Sequence, residues 1–258
     1  MKRRNYLVTL APVILYLAVL AVFLPVASGV AKEAAPFNLK TLSGEEVSLS
    51  ELKGSPVVLL FFSTSCHFCR LEMPILQKLY EEYALKADLK VFGIAARENP
   101  ERVKGFVSSL GVNFPILLDE TGRVFMEYTV MGVPTAFFVN PRGEIADLVI
   151  GATNEKVLRN KLNSILWYRG LREAEVQNLL KLNQQVVVLD VRKNSSNPFS
   201  EKQEVEYFSF NNSPLELSKL DKSKIYLVLA GDNRQSLKLC KEMALQGFKR
   251  VYFMLHAD

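Results

Sequence analysis

The sequence predicts an α/β architecture, with two small α/β units in series behind an apolar N-terminal segment. Three observations carry this. Unbroken apolar runs of strand length, "VVLLFFST" (57–64) and "VVVLDVR" (186–192) among them, alternate with stretches of helical spacing, as strands buried on both faces of a sheet require. The alternation restarts near Arg169–Leu171, and alternating strand and helix implies parallel pairing. The chain has 258 residues, 49% hydrophobic and 23% charged, enough for about two ordinary core-bearing domains.

The first 31 residues stand outside this pattern. Lys2, Arg3 and Arg4 precede an uncharged, mostly apolar stretch from Tyr6 to Ala31, the layout of an export signal or a signal anchor. A cleaved signal has an apolar core of about 7–15 residues, and a spanning helix needs about 20; Leu7 to Leu24 falls between the two. Ala27, Ser28, Gly29 and Ala31 permit cleavage, while the length favours a retained membrane anchor with its basic end in the cytoplasm. Either way the rest of the chain is expected to be exported, held on the cell membrane facing the periplasm or exterior, or secreted. Formal net charge is +5, and the three leading cations leave only +2 elsewhere, too little to suggest nucleic-acid binding.

Residues 32–56 read as a short linker and an irregular hairpin, punctuated by Gly44, Gly54 and Pro56. After the strand at 57–64, apolar spacing at Leu71, Leu76, Leu79 and Tyr83 predicts a helix, kinked at Pro74. Residues 89–96 form a second buried strand. Over 99–111 Asn99 caps a helix, Pro100 suits its first position and Gly111 stops it. A short strand covers 114–119, and "TAFFVN" and "EIADLVIG" form a hairpin around "PRG". An amphipathic helix over 153–167 closes the first unit. In the second, "LREAEVQNLLKLN" predicts a helix, 186–192 a strand, "KNSSNPFSEKQE" a polar loop and 225–230 a strand. "RQSLKLCKEMALQGF" is a helix ending at Gly247, and 251–255 a last strand. The domains so drawn are 1–31, 32–168 and 169–258.

Three cysteines are too few for a disulfide framework. Two of them, Cys66 and Cys69 in "STSCHFC", fall where the first buried strand meets its helix. A structural zinc wants four ligands, and the only histidines are His67 and His256. Covalent haem attachment needs Cys-x-x-Cys-His, but Arg70 follows Cys69. Core thiols suit either cysteine alone better than a pair at such a junction. A redox dithiol fits. Orphan N–H groups and the helix dipole stabilise a thiolate at Cys66, and Cys69, one turn on, closes a disulfide with it. Cys66 is expected to attack and Cys69 to resolve. His67 either lowers the first thiol's pKa when protonated or is a spacer; the sequence does not orient its ring.

Glu72 lies three residues after Cys69, on the same helix face. A partly buried carboxylate there can take or return the resolving thiol's proton; a solvated helix glutamate has the same spacing. At Val133–Pro134 a cis bond would present the Val133 backbone to an extended peptide. Taken alone, the residues favour a plain strand-start proline.

In chain order, "FNLKTLSGEEVSLSELKG", "FFSTSCHFCRLEMP", "GVNFPILLD" and "GVPTAFFVNPRGEI" resemble the thioredoxin superfamily. The closer resemblance is to its exported, membrane-anchored branch, the ResA/TlpA-like thiol–disulfide oxidoreductases, over about residues 35–167. It implies a thioredoxin-like fold, with a central mixed sheet of four or five strands flanked by helices. It also implies a cis-proline at Pro134 and a functional acid at Glu72. Catalysis is thus expected from Cys66, Cys69 and Glu72, and client binding from Val133, Pro134 and His67, with no cofactor and no metal. The implied partners are disulfide-containing clients, apocytochrome c among them, and a membrane thiol-reductant donor. Two departures alter the thiol environment: Ser65 stands where the family usually has tryptophan, and His67-Phe68 replaces a proline-containing pair.

Residues 171–258 resemble a rhodanese domain through "VVVLDVR" and "IYLVLAGDNRQSLKLCKEMALQGFKRVYFM". The nucleophilic cysteine of that family is missing: two alignments place Leu229 or Val228 there, and Cys240 lies mid-helix as a core residue. Sulfur transfer is therefore not expected, and the tail reads as an inactive binding module. The main reading is a client-reducing oxidoreductase of the cytochrome c maturation type. The alternatives are a disulfide-inserting oxidase of the same fold and a non-catalytic interaction protein acting through the tail.

Overall fold

The apolar runs become the strands of two sheets. In a computed structural model, residues 32–182, 185–192, 198–199, 206–209 and 216–256 are described. The expected signal or anchor at 1–31 and most of the polar loop at 193–204 lie outside them. Among the described residues no helix is long and apolar enough to cross a membrane.

The first sheet uses β1 (Lys32–Glu33), β2 (Asn38–Thr41), β3 (Glu46–Ser48), β4 (Val57–Phe62), β5 (Lys90–Ala96), β6 (Ile116–Asp119), β7 (Thr135–Val139) and β8 (Glu144–Ile150). Their order is β1-β8-β7-β4-β5-β6-β2-β3. β4, β5 and β6 run parallel, while β7 and β8 are antiparallel, so the sheet is mixed as expected. Eight strands exceed the four or five anticipated. The five from β8 to β6 form the centre, the β2–β3 hairpin lengthens one edge, and β1, read as linker, pairs with β8 at the other.

The helices of this part are α1 (His67–Ala87), α2 (Pro100–Ser109), α3 (Arg123–Glu127) and α4 (Glu155–Asn163). α1 continues through Pro74, whose missing N–H leaves the Arg70 carbonyl without its helical partner. Asn99 caps α2 through its side chain, donated to by the Arg102 N–H at 3.1 Å.

β4 is buried along its whole length, and its two faces serve two cores. Val58, Leu60 and Phe62 pack with Cys69, Met73, Leu76 and Leu79 of α1; Val57, Leu59 and Phe61 pack with Phe137 and Tyr128. Period-2 alternation thus fixes which residues back the helix carrying the cysteines. Leu60→Ala should cost about 2–5 kcal/mol of stability, measured by denaturant unfolding.

The tail contains β9 (Tyr168–Leu171), α5 (Glu173–Leu182), β10 (Val186–Asp190), β11 (Glu206–Ser209), β12 (Ile225–Leu229), α6 (Asn233–Leu245) and β13 (Val251–Met254). Its sheet runs β11-β10-β12-β13-β9, every pairing parallel. β9 and β11 were not anticipated from the sequence. Residues 32–258 form one compact unit. The buried Tyr168 hydroxyl donates to the Gly54 carbonyl at 2.8 Å. Trp167 is flanked by Arg142 and Lys249, 5.5 and 5.3 Å from its ring.

Asp88 is the polar centre of this contact. It accepts Lys241 and Ser55 at 2.6 Å and Lys90 at 2.8 Å. Desolvation opposes its ionisation, but these donors prevail and hold the carboxyl below its ordinary value. Its stabilising contribution is therefore complete above the ordinary pKa of 3.8 and is lost as pH falls through the lower folded value. Asp88 has φ 50, a left-handed conformation that asparagine tolerates. Asp88→Asn thus removes the charge without backbone strain and should cost about 1.5–3 kcal/mol at pH 7, a loss that shrinks in thermal melts taken below pH 3.8.

The tail packs against the C-terminal end of α1. This helix has 21 residues, which puts its two ends about 30 Å apart. The cysteines sit at the other end, away from the described tail contact of Lys241 with Asp88.

Candidate active site

β4 ends at Phe62, and the chain turns through Ser63–Cys66 into α1. The Cys66 N–H donates to the Ser63 carbonyl at 3.1 Å, and the Ser63 and Ser65 hydroxyls bond to each other at 2.9 Å. Cys66 is the N-cap of α1, and its sulfur accepts the Cys69 N–H at 3.1 Å. One of the helix's orphan donors therefore points at the first sulfur, as thiolate stabilisation requires.

Cys66 and Cys69 are joined as a disulfide, with Cα atoms 5.3 Å apart. The two sulfurs differ in access. Cys69 is fully buried in the core, whereas Cys66 is only half-buried. A partner sulfur can approach Cys66 alone.

The Val133–Pro134 bond is cis, as the family resemblance implied and the residues alone did not favour. The Val133 carbonyl oxygen lies 3.5 Å from the Cys66 sulfur. In the reduced protein this oxygen can accept the Cys66 thiol proton; in the disulfide it is simply a close neighbour. The loop is pinned twice: the Thr135 hydroxyl donates to the Gly132 carbonyl at 2.7 Å, and the Gly151 N–H to the Pro134 carbonyl at 2.8 Å.

Glu72 lies on the inner face of α1, 1% exposed. Its carboxylate accepts the Thr153 N–H at 2.8 Å. Burial raises its pKa above the ordinary 4.5, and the Thr153 bond offsets part of that rise. The buried carboxyl therefore keeps its proton to higher pH than a solvated glutamate does.

The structure thus brings Cys66, Cys69, Val133 and Pro134 together and buries Glu72 one turn behind Cys69. His67, the first residue of α1, is exposed at the rim, its ring 5.8 Å from that of Phe68. Two features escaped the sequence reading. Phe68, Leu71 and Met131 are 60%, 54% and 92% exposed, an apolar fringe on α1 and on the loop before Pro134. Glu98, just beyond β5, accepts the buried Thr64 N–H at 2.9 Å. Its place was findable, since sites in α/β sheets gather at the carboxyl ends of parallel strands.

Comparison with known proteins agrees with this geometry. The AhpC/TSA family matches residues 30–148. The thioredoxin-like protein YneN of Bacillus subtilis (strain 168) is 38% identical over 133 residues, covering 51% of this chain and 78% of that protein. The thiol-disulfide oxidoreductase ResA of the same organism is 32% identical over 133 residues, covering 52% and 74%. Among solved structures, a candidate protein disulfide isomerase from Bacteroides thetaiotaomicron matches with a TM-score of 0.50 and 29% identity, over 53% of this chain and 89% of that one.

Proposed function

Because this chain belongs to the thioredoxin-like thiol–disulfide oxidoreductases, alongside YneN and ResA, we propose that it reduces disulfides of client proteins outside the cytoplasm, tethered by its N-terminal segment. In the reduced enzyme the Cys66 thiolate attacks a client disulfide. A Cys66–client mixed disulfide forms, and the client's other sulfur leaves and takes a proton. Cys69 passes its proton to Glu72, and its thiolate attacks the Cys66 sulfur. The intramolecular disulfide closes, and the second client sulfur leaves as a thiol. A membrane thiol donor then returns two electrons.

The observation that carries the reducing direction is the buried Glu72 carboxyl behind Cys69. It serves as base for the resolving thiol, and its negative charge disfavours thiolate accumulation. A strong oxidant needs the opposite, a stabilised reduced form. Val133, Pro134 and His67 are proposed to contact the client, and the exposed Phe68, Leu71 and Met131 suit a protein client with apolar residues beside its disulfide. Apocytochrome c, whose haem-site cysteines must be reduced, is the proposed client.

The proposed division places a second domain at 169–258, inactive and rhodanese-like. Support comes from its parallel sheet and from Val228 and Leu229, both buried where a nucleophile would stand. Cys240 is buried in α6, and desolvation pushes its thiol pKa far up, which removes it as a nucleophile.

A peptide carrying an oxidised Cys-x-x-Cys-His loop tests the direction. Mixed with the reduced enzyme, it should become a dithiol while one equivalent of enzyme becomes disulfide. If the enzyme disulfide instead oxidises the reduced peptide, the oxidase reading replaces this one.

A further inference from the structure

β4 and β5 end side by side, with Phe62 opposite Ala95. From just past β5, the Glu98 carboxylate reaches back to the turn after β4. Both its oxygens face the Thr64 N–H, at 2.9 and 3.3 Å. Thr64 is buried and stands two residues before Cys66, in the turn closed by the Cys66 N–H on the Ser63 carbonyl.

Two arginines of this region, one beside Glu98 and one in the first turn of α1, are engaged elsewhere. Arg97 donates through Nε to the Thr121 carbonyl at 2.8 Å, and the Arg70 guanidinium stacks 4.7 Å over Phe106. The other charged or histidine side chains of the adjoining helices are His67 and Glu72 in the first two turns of α1, Lys78, Glu81, Glu82 and Lys86 further along it, and Glu101, Arg102 and Lys104 of α2. No ion pair of Glu98 is found among the described residues.

We infer that Glu98 is a positioning residue of the exchange reaction: its carboxylate clamps the turn presenting Cys66, and its charge opposes the Cys66 thiolate. The helix N-terminus favours a thiolate at Cys66. A carboxylate held against the preceding turn from across the sheet works against this and keeps the pair reducing. The inference rests on Cys66 being the attacking thiol.

Glu98→Gln separates the two roles, because the amide oxygen still accepts the Thr64 N–H while the charge is gone. In the full chain two readouts are followed: the pH dependence of Cys66 alkylation by iodoacetamide and the equilibrium with glutathione. Glu98→Gln should raise the thiolate fraction at neutral pH about three- to tenfold and move the equilibrium toward the dithiol by a similar factor, tenfold being about 30 mV. Glu98→Ala should shift at least as far and also lower the melting temperature. Wild-type alkylation and equilibrium in Glu98→Gln overturn the inference, whatever the melting temperature does. So does a shift confined to Glu98→Ala, since the charge would then play no part. The comparison is between variant and wild type. An enzyme found to be an oxidant would therefore sink the reductase reading and leave this one standing.

Discussion

Replacing Cys66 with serine should reduce disulfide exchange to the uncatalysed background. Cys69, the other cysteine of the pair, is fully buried and cannot meet a client disulfide directly. Serine at 69 should behave differently. Cys66 still attacks, but nothing resolves the mixed disulfide, so a covalent enzyme–client adduct accumulates on non-reducing gels. Stopped-flow reduction of a disulfide substrate reads the first variant and gel mobility the second. Exchange retained by Cys66→Ser contradicts the assignment of roles.

Glu72→Gln should slow resolution and leave attack nearly unchanged. A positioned general base contributes about a hundredfold or more, so release of the reduced client should fall by about that factor near neutral pH, while mixed-disulfide formation keeps its rate. Rapid acid quench separates the two steps. A solvated, structural glutamate would move neither. Stability supplies an independent check. The folded-state pKa of Glu72 lies above its ordinary 4.5, so the folded protein binds this proton more tightly than the unfolded chain does. The contribution of this one group is then most favourable below pH 4.5 and declines as pH rises through the folded pKa, where a buried charge must form. Glu72→Gln has no such charge. Its melting temperature should gain on the wild type as pH rises through that window and match it most closely below.

Much of this was legible because local chemistry and fold agreed. β4 is apolar at every position, so only a strand buried on both faces could accommodate it. Asn99 and Pro100 announced the start of α2 before any tertiary contact was known. The CxxC pair stood out because strand, turn and helix signals met at Cys66. The misses share a different cause. β9 is four residues long and includes Arg169 and Gly170; its strand character comes from pairing with β13, far along the chain. β11 likewise depends on β10 for its conformation. The Pro134 isomer differs by only about 0.5–1 kcal/mol between forms in a free chain, so its residues alone pointed to no cis bond, and the resemblance did. The Thr153 bond to Glu72 and the Thr64 bond to Glu98 join residues 81 and 34 positions apart, beyond any local pattern.

The central claim is that Cys66 and Cys69 form a reducing pair. The reduction potential of that pair, measured on residues 33–258 against graded glutathione or dithiothreitol buffers, tests it most directly. The account predicts a value near or below about −250 mV, in the range of thioredoxin. A value near about −120 mV, in the range of strong disulfide-forming oxidants, would contradict it.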